Sequence, residues 1–255
     1  SHRHIALNPF FNHLKVPFSG FALSLFNRYD HGTRGVSLGV LSNYAQTEAT
    51  GLHIAGGINV MVENHMGAQA AGLANITVGA MNGAQFSAFF NYSGARSQVF
   101  QFAPINLVLG GWGYYQAGLA NIALGKSLKK YNIPLSLGSA REVAMQMGVL
   151  NIAYAQSADQ MGGVNFADTA MQQYGVLNVA RHVKGFQFGG INLAYSSSGF
   201  ALGFFSVALN NGGISYEGWF DSSYSSLSSI SFRHRYTYSA VVFNNRLLGQ
   251  YDITR

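Results

Sequence analysis

The chain has 255 residues and a formal net charge of +6, yet only 9% of its residues are charged, against about 25% in an ordinary soluble domain. Its hydrophobic content of 48% excludes a disordered chain, and the absence of cysteine excludes disulfides and thiolate metal sites. The 15 basic residues form no dense patch, which argues against nucleic-acid binding. The sequence contains no run of ~20 apolar residues, so a membrane-spanning helix is not expected.

Residues 1–20 contain two proline-punctuated segments, around Pro9 and Pro17, and no clear copy of the repeat that follows them. The end units of repeat arrays are usually atypical because they cover an apolar end that would otherwise be exposed. We therefore predict that residues 1–20 form an N-terminal cap.

A short repeat fills residues 21–213. Each copy combines an apolar-Gln-apolar triplet, a small residue, and an asparagine flanked by apolar residues, as in Gly185–Ala194. The asparagine recurs every 16 residues at first and every 13 to 15 residues later, and serine takes its position twice. Regular spacing of this kind is typical of a repeat architecture. The marker positions are Asn27, Asn43, Asn59, Asn75, Asn91, Asn106, Asn121, Ser136, Asn151, Asn165, Asn178, Asn192 and Ser206.

A unit of 13 to 16 residues is too short for two helices and a turn, and its glycine, β-branched and aromatic residues disfavour helix. Two all-β folds remain: a β-solenoid of about thirteen short coils, and an antiparallel outer-membrane β-barrel with one strand per repeat. If the apolar residues face inward, they should recur at every second position along a straight strand. Phe188 and Ile191 are three positions apart, which indicates a corner at Gly189 and Gly190. Pro104 also falls at the corner position, where it removes no ladder hydrogen bond. We therefore predict the solenoid, with the barrel as the alternative.

The marker residues themselves predict a ladder. In a solenoid, equivalent residues of successive coils lie ~4.8 Å apart, so each asparagine amide is able to donate to the next. We predict that all thirteen marker residues form this structural ladder, because serine at 136 and 206 keeps a hydrogen-bonding group in the position.

Charge follows the same period. Between Arg28 and Lys184, every charged residue lies within nine positions after a marker, and the remaining part of each repeat is uncharged. Stacked coils would collect these charges along one edge and leave an uncharged side that is suited to association. The basic residues that we predict to contact an anionic partner, such as a glycan or lipid head groups, are Lys126, Lys129, Lys130, Arg181 and Lys184.

The C-terminal residues 214–255 lack the repeat. Ser229–Arg233 alternates polar and apolar residues and Tyr238–Phe243 is rich in strand formers, so both segments are predicted to be strands. Asn244 and Asn245 have the composition of a two-residue hairpin turn. We predict a C-terminal β cap.

Residues that would indicate catalysis or cofactor binding are scarce. The acidic residues occur mostly singly, and the closest candidate acid/base pair is Glu217 and Asp221. No phosphate-binding loop, nucleophile elbow or convincing metal-ligand spacing is present. We therefore predict no catalytic residue, no cofactor and no metal.

The run Gly175–Asn192, and more loosely the whole stretch Phe21–Leu209, resembles the short G-x-Q-x-G-L-x-N-x-A surface-repeat proteins of Bacteroidetes and spirochaetes. Early copies depart from that pattern, with Ser37 and His53 at the glutamine position. The resemblance implies an exported protein at the bacterial cell surface or outer membrane, and it assigns no catalytic role.

These observations predict a non-enzymatic cell-surface repeat protein that acts as a scaffold or recognition surface. Its expected partner is another surface protein, a glycan or a second copy, with membrane association left open and nucleic acid not expected. The alternatives are an outer-membrane barrel or channel component and a polysaccharide-active enzyme.

Overall fold

A computed structural model describes residues 3–94, 97–109, 111–124, 143–154, 157–220, 226–234 and 238–245. Within these ranges the chain is all-β, with 21 strands and no helix. The earlier strands are β1 (Arg3–Leu7), β2 (Phe11–Leu14), β3 (Phe18–Tyr29), β4 (Thr33–Ala45), β5 (Ala49–Ala55), β6 (Ile58–Met61), β7 (His65–Ala71), β8 (Ala74–Thr77), β9 (Met81–Ser87), β10 (Phe90–Ser93) and β11 (Ser97–Phe102). The later strands are β12 (Ile105–Val108), β13 (Gly111–Ala117), β14 (Ala120–Leu124), β15 (Val143–Tyr154), β16 (Ser157–Ser197), β17 (Phe200–Leu202), β18 (Phe205–Ala208), β19 (Gly213–Phe220), β20 (Ser226–Arg233) and β21 (Tyr238–Asn245).

Strands β1 to β18 form one continuous sheet that winds around the molecule. Each strand pairs in parallel with the equivalent strand one turn away; for example, β7 pairs with β5 and β9, and β8 pairs with β6 and β10. The fold is therefore the predicted β-solenoid, with about 11 turns between the two terminal turns. The alternative, an antiparallel barrel, is wrong because the described neighbouring turns run in the same direction.

Each turn has two sides. Side A consists of β1, β5, β7, β9, β11, β13 and β17, together with the first parts of β3, β4 and β15 and the segments of β16 around Gln160, Gln173 and Gln187. Side B consists of β2, β6, β8, β10, β12, β14 and β18, together with the remaining parts of the long strands. The 41 residues of β16 remain extended through three turns.

Glycine at the corner from side A to side B allows successive turns to stack closely. A Cβ atom placed on Gly148 would lie 2.0 Å from the carbonyl oxygen of Gly118, one turn earlier. Gly51 on side A combines the same close approach, 2.0 Å from the carbonyl oxygen of Gly35, with a φ of +117°. Only glycine meets both demands at Gly51 without strain. The parity break inferred from the sequence is therefore a real corner.

The N-terminal segment belongs to the solenoid. Strands β1 and β2 pair in parallel with β3, and Asn12 pairs with Asn27. The Asn8 side chain accepts hydrogen bonds from the backbone N–H groups of Phe10 and Phe11 at 3.0 and 3.2 Å, which satisfies donors at the first corner. Residues 3–14 therefore form the first turn of the solenoid, and the N-terminal cap over residues 1–20 stays a prediction.

At the other end, β19, β20 and β21 form a small antiparallel sheet. The ring of Phe232 in β20 lies 4.8 Å from that of Phe205 in β18, so this sheet packs on the last turn. Both strands predicted here are confirmed. The predicted hairpin turn is wrong, because Asn244 and Asn245 continue β21 and pair with β20.

Candidate interaction surface

The interior of the solenoid contains amides and small side chains, while most large apolar side chains lie outside. Gln187 and Asn192 are fully buried, whereas the flanking Phe188 is 51% exposed and Leu193 is 40% exposed. The sequence interpretation that placed the apolar residues inward was therefore wrong in its direction, although it located the corner correctly. Alanine fills the buried position two residues after the marker in several turns, as at Ala153.

The asparagine ladder runs through the interior as predicted. Each asparagine donates one amide hydrogen to the side-chain oxygen of the next rung at 2.8–3.2 Å. The same amide also donates to a main-chain carbonyl oxygen of the following turn, as Asn178 does to Phe188 at 3.0 Å. The buried amides of the asparagine ladder are therefore satisfied along the array. The rungs are Asn12, Asn27, Asn43, Asn59, Asn75, Asn91, Asn106, Asn121, Asn151, Asn165, Asn178, Asn192 and Ser206.

Two features of this ladder were not predicted from the sequence. Asn12 is the first rung and donates to Asn27 at 2.9 Å, although the repeat was expected to begin later. Asn121 donates directly to Asn151 at 2.9 Å, and their strands pair in register. Among the described residues, Asn121 and Asn151 are therefore consecutive rungs. Ser136 lies outside the described residues, so its place in the ladder stays a prediction.

A second ladder is built from the glutamine of each repeat. Each glutamine donates to the side-chain oxygen of the glutamine one turn earlier, at 2.7–3.0 Å. Its direction is therefore opposite to that of the asparagine ladder. The sequence showed this recurring glutamine, but we predicted only the asparagine ladder. The members are Gln69, Gln85, Gln101, Gln116, Gln146, Gln160, Gln173 and Gln187.

The glutamine ladder ends at a buried histidine. His53 occupies the glutamine position one turn before Gln69, and the Nε2 atom of Gln69 has no hydrogen-bond partner within the described residues. The ring of His53 lies 5.0 Å from that of His65, and neither of its own nitrogens has a described partner. Burial, together with a smaller effect of the nearby His65, lowers the pKa of His53 to about 3. Burial likewise lowers the pKa of His65 to about 4. Both histidines are therefore neutral at pH 7.

Side A presents two apolar columns that run the length of the solenoid. The first column follows the glutamine position and is apolar in every turn apart from the hydroxyl of Tyr174; the second precedes that position and is interrupted by Asp159 and Gln172. The first column contains Leu7, Leu23, Leu38, Ile54, Ala70, Phe86, Phe102, Ala117, Met147, Met161, Tyr174, Phe188 and Leu202. The second contains Ile5, Phe21, Val36, Leu52, Ala68, Ala84, Phe100, Tyr115, Met145, Asp159, Gln172, Phe186 and Phe200.

Most large side chains of these columns are exposed. Phe102 is 57% exposed and Leu7 is 65% exposed. Soluble monomers rarely expose a contiguous apolar area of more than a few hundred Å², and larger ones mark interaction sites. Side A is therefore a largely apolar surface, with Asp159 as a charged member of its second column.

Apart from Asp159 in the second column, most charged residues of the solenoid lie between the end of side B and the start of side A on the next turn, a region that we call the charged edge. Near its N-terminal end, Asp30 accepts hydrogen bonds from Arg28 at 2.9 Å and contacts His13 at 2.6 Å. The hydrogen bond from Arg28 is the main reason why the pKa of Asp30 is lowered. Farther along, Arg181 lies 3.8 Å from Asp168.

The predicted anionic-partner contacts are only partly placed. Arg181 and Lys184 are exposed in β16, and Arg181 forms an ion pair with Asp168. Lys126, Lys129 and Lys130 lie outside the described residues. That these five basic residues contact an anionic partner therefore stays a prediction.

No catalytic or metal centre stands out in the part of the chain that the structure describes. That part contains no group of three or more His, Asp or Glu side chains able to hold a metal ion. Of the candidate acid pair, Glu217 lies in β19 and Asp221 falls outside the described ranges. The apolar surface is therefore the strongest candidate for a functional feature.

The fold places the chain in the class of parallel β-solenoids with side-chain amide ladders. Comparison with protein-family models, curated proteins and solved structures finds no match to the chain. The described residues form no helix that is long and apolar enough to cross a membrane. Any functional argument therefore depends on the surface itself.

Proposed function

We propose that this chain is a non-enzymatic scaffold that associates with other macromolecules through the apolar columns of side A. The observation that carries the proposal is the first column, which remains apolar from Leu7 to Leu202, apart from the hydroxyl of Tyr174, while the amides of each turn point inward. A folded protein normally buries such side chains. The ladders hold the turns in register.

The chemistry of side A favours an apolar protein surface as the partner. Glycans are recognised largely through hydrogen bonds, and the first column offers one polar group, the hydroxyl of Tyr174. Polar groups that remain unpaired at an interface weaken binding. An apolar partner leaves few such groups on side A.

Retention on an apolar matrix tests the proposal. We expect the folded chain to be retained on a butyl matrix at moderate salt and to bind an apolar fluorescent dye. A variant with Phe86, Phe100 and Phe102 changed to serine should lose most of both signals, because these adjacent rings form the centre of side A.

The matched control changes three exposed apolar residues elsewhere, namely Leu73 and Leu119 at the corner and Val62 near the charged edge, to serine. We expect this control to lose less retention than the side-A variant. Wild-type protein that shows neither retention nor dye binding would refute the proposal, as would equal losses in the two variants.

We also propose a bacterial cell-surface location. This proposal is supported by the resemblance of the repeat to surface-repeat proteins and by the low content of charged residues, 9%. Accessibility of the native protein to protease added to intact cells tests it. Complete protection of the protein in intact cells, with cleavage after lysis, would contradict it.

A further inference from the structure

We propose that side A binds a second copy of this chain, face to face and antiparallel, with the two-fold axis passing beside Phe100 and Phe102. This inference rests on the proposed function and names the partner. In such an isologous dimer, each column packs against the same column of the other copy, and the two columns run in opposite directions.

The available area suits a stable dimer. The 13 members of each column, spaced ~4.8 Å apart, span roughly 58 Å, and two columns two residues apart cover a width of roughly 13 Å. The face therefore measures roughly 750 Å², close to the ~800 Å² per partner of a standard protein interface. A smaller partner would leave part of the columns exposed.

Side-chain sizes favour the antiparallel arrangement with this axis. Six residues of the first column precede Phe102 and six follow it. Reversal about Phe102 places Ala117 opposite Phe86, and Ala70 opposite Met147. Small side chains thus face large ones, as close packing requires.

The second column shows the same complementarity about Phe100. Reversal places Ala84 opposite Tyr115, and Ala68 opposite Met145. All four alanines of the two columns therefore face a larger side chain.

The parallel arrangement fits less well. It would pack the first column of one copy against the second column of the other at the same turn, so that Ala70 faces Ala68 twice in the dimer. These four alanines would leave a void at the centre of one turn. A void in an interface loses the contacts that its lining atoms would otherwise make.

The polar residues of side A fall away from the proposed axis. Asp159 and Gln172 are three and four turns from Phe100 toward the C-terminal end of the second column. Interfaces commonly combine an apolar centre with a more polar periphery. Reversal about Phe100 places Asp159 opposite Leu52, so the apolar centre extends two turns on either side of Phe100 and the packing of the second column is least favourable at the third.

Cysteine cross-linking tests the arrangement, because the natural chain has no cysteine. The variant Phe102→Cys should form a disulfide-linked dimer on mild oxidation, since residue 102 of one copy faces residue 102 of the other. The control Ile105→Cys is similarly exposed but lies on side B, and it should remain monomeric. A Phe102→Cys variant that cross-links no better than Ile105→Cys overturns the proposal.

Orientation is tested with the two ends of the first column. Leu7→Cys and Leu202→Cys should each fail to cross-link alone and should cross-link when mixed, because reversal places residue 7 opposite residue 202. Cross-linking of Leu7→Cys with Ile5→Cys would instead support the parallel dimer, in which residue 7 faces residue 5, and overturn the antiparallel one.

Mass measurement provides a second readout. We expect the wild type to sediment at twice the mass of Phe102→Lys, and Ile105→Lys to retain the dimer mass, with far-UV circular dichroism showing that each variant is folded. A wild type that is monomeric at all concentrations overturns this inference. If that monomer is still retained on the butyl matrix, the proposed function stands, and cosedimentation with neutral phospholipid vesicles would then assign side A to a lipid surface.

Discussion

The asparagine ladder makes a quantitative prediction for Asn178→Ala. Asn178 accepts a hydrogen bond from Asn165 at 2.8 Å and donates to Asn192 at 2.8 Å and to the carbonyl oxygen of Phe188 at 3.0 Å. Three lost hydrogen bonds at about 1 kcal/mol each give about 3 kcal/mol. The substitution also strands a buried donor on Asn165 and a buried acceptor on Asn192, which raises the expected loss to about 3–5 kcal/mol.

Urea unfolding followed by far-UV circular dichroism, at a fixed protein concentration, measures this loss. The control Val176→Ala changes a 71% exposed side chain two residues away, and its free energy of unfolding should stay within about 0.5 kcal/mol of the wild type. Asn178→Ser should fall between the two, because a hydroxyl accepts the rung bond at Ser206. A loss below about 1 kcal/mol for Asn178→Ala would refute the reasoning that the ladder stabilises the stack.

Two further predictions use the same unfolding measurement. Gly148→Ala should lower the free energy of unfolding by more than about 3 kcal/mol, because the new Cβ would lie 2.0 Å from a rigid carbonyl oxygen. In the control Gly163→Ala the nearest neighbour is 3.2 Å away, and the free energy of unfolding should fall by about 1 kcal/mol. Equal losses in the two variants would contradict the packing argument. The lowered pKa of His53 means that the folded state favours the neutral ring. The free energy of unfolding therefore does not change with the titration of His53 above pH 6.5, and it falls as the pH drops from 6.5 toward about 3. His53→Gln should reduce this pH dependence and add about 1 kcal/mol at pH 7, because Gln69 gains an acceptor for its unpartnered Nε2; an unchanged acid profile would show that His53 is not its source.

The sequence predicted the solenoid because its signal was periodic. One asparagine per turn must stack if the turns stack, so spacing alone located Asn27 and most later rungs. The spacing did not reveal that Asn121 contacts Asn151, because two intervals of 15 residues resemble two ordinary turns. Asn12 lies 15 residues before Asn27, in phase with the repeat, and was missed because residues 1–20 were assigned to a cap on the basis of their prolines.

The character of the surface was harder to predict. Apolar residues such as Phe188 alternate with polar ones, and alternation alone does not say which set faces inward. The usual expectation of an apolar interior gave the wrong direction here. Two amide ladders occupy much of the interior beside a few buried large side chains such as Tyr29 and Met81, and most large apolar side chains lie outside. The glutamine ladder was missed for a related reason, since Ser37 and His53 interrupt its pattern early in the array.

The opposite directions of the two ladders have an electrostatic consequence. A single column of aligned amides would sum its dipoles and build up partial charges at its two ends, as the peptide groups of an α-helix do. Here the asparagine amides point their N–H groups toward the C-terminal end and the glutamine amides point theirs toward the N-terminal end, so the two sums oppose each other. Lengthening such a rod by whole turns therefore adds hydrogen bonds without adding a field along its axis, and electrostatics sets no limit on the number of turns.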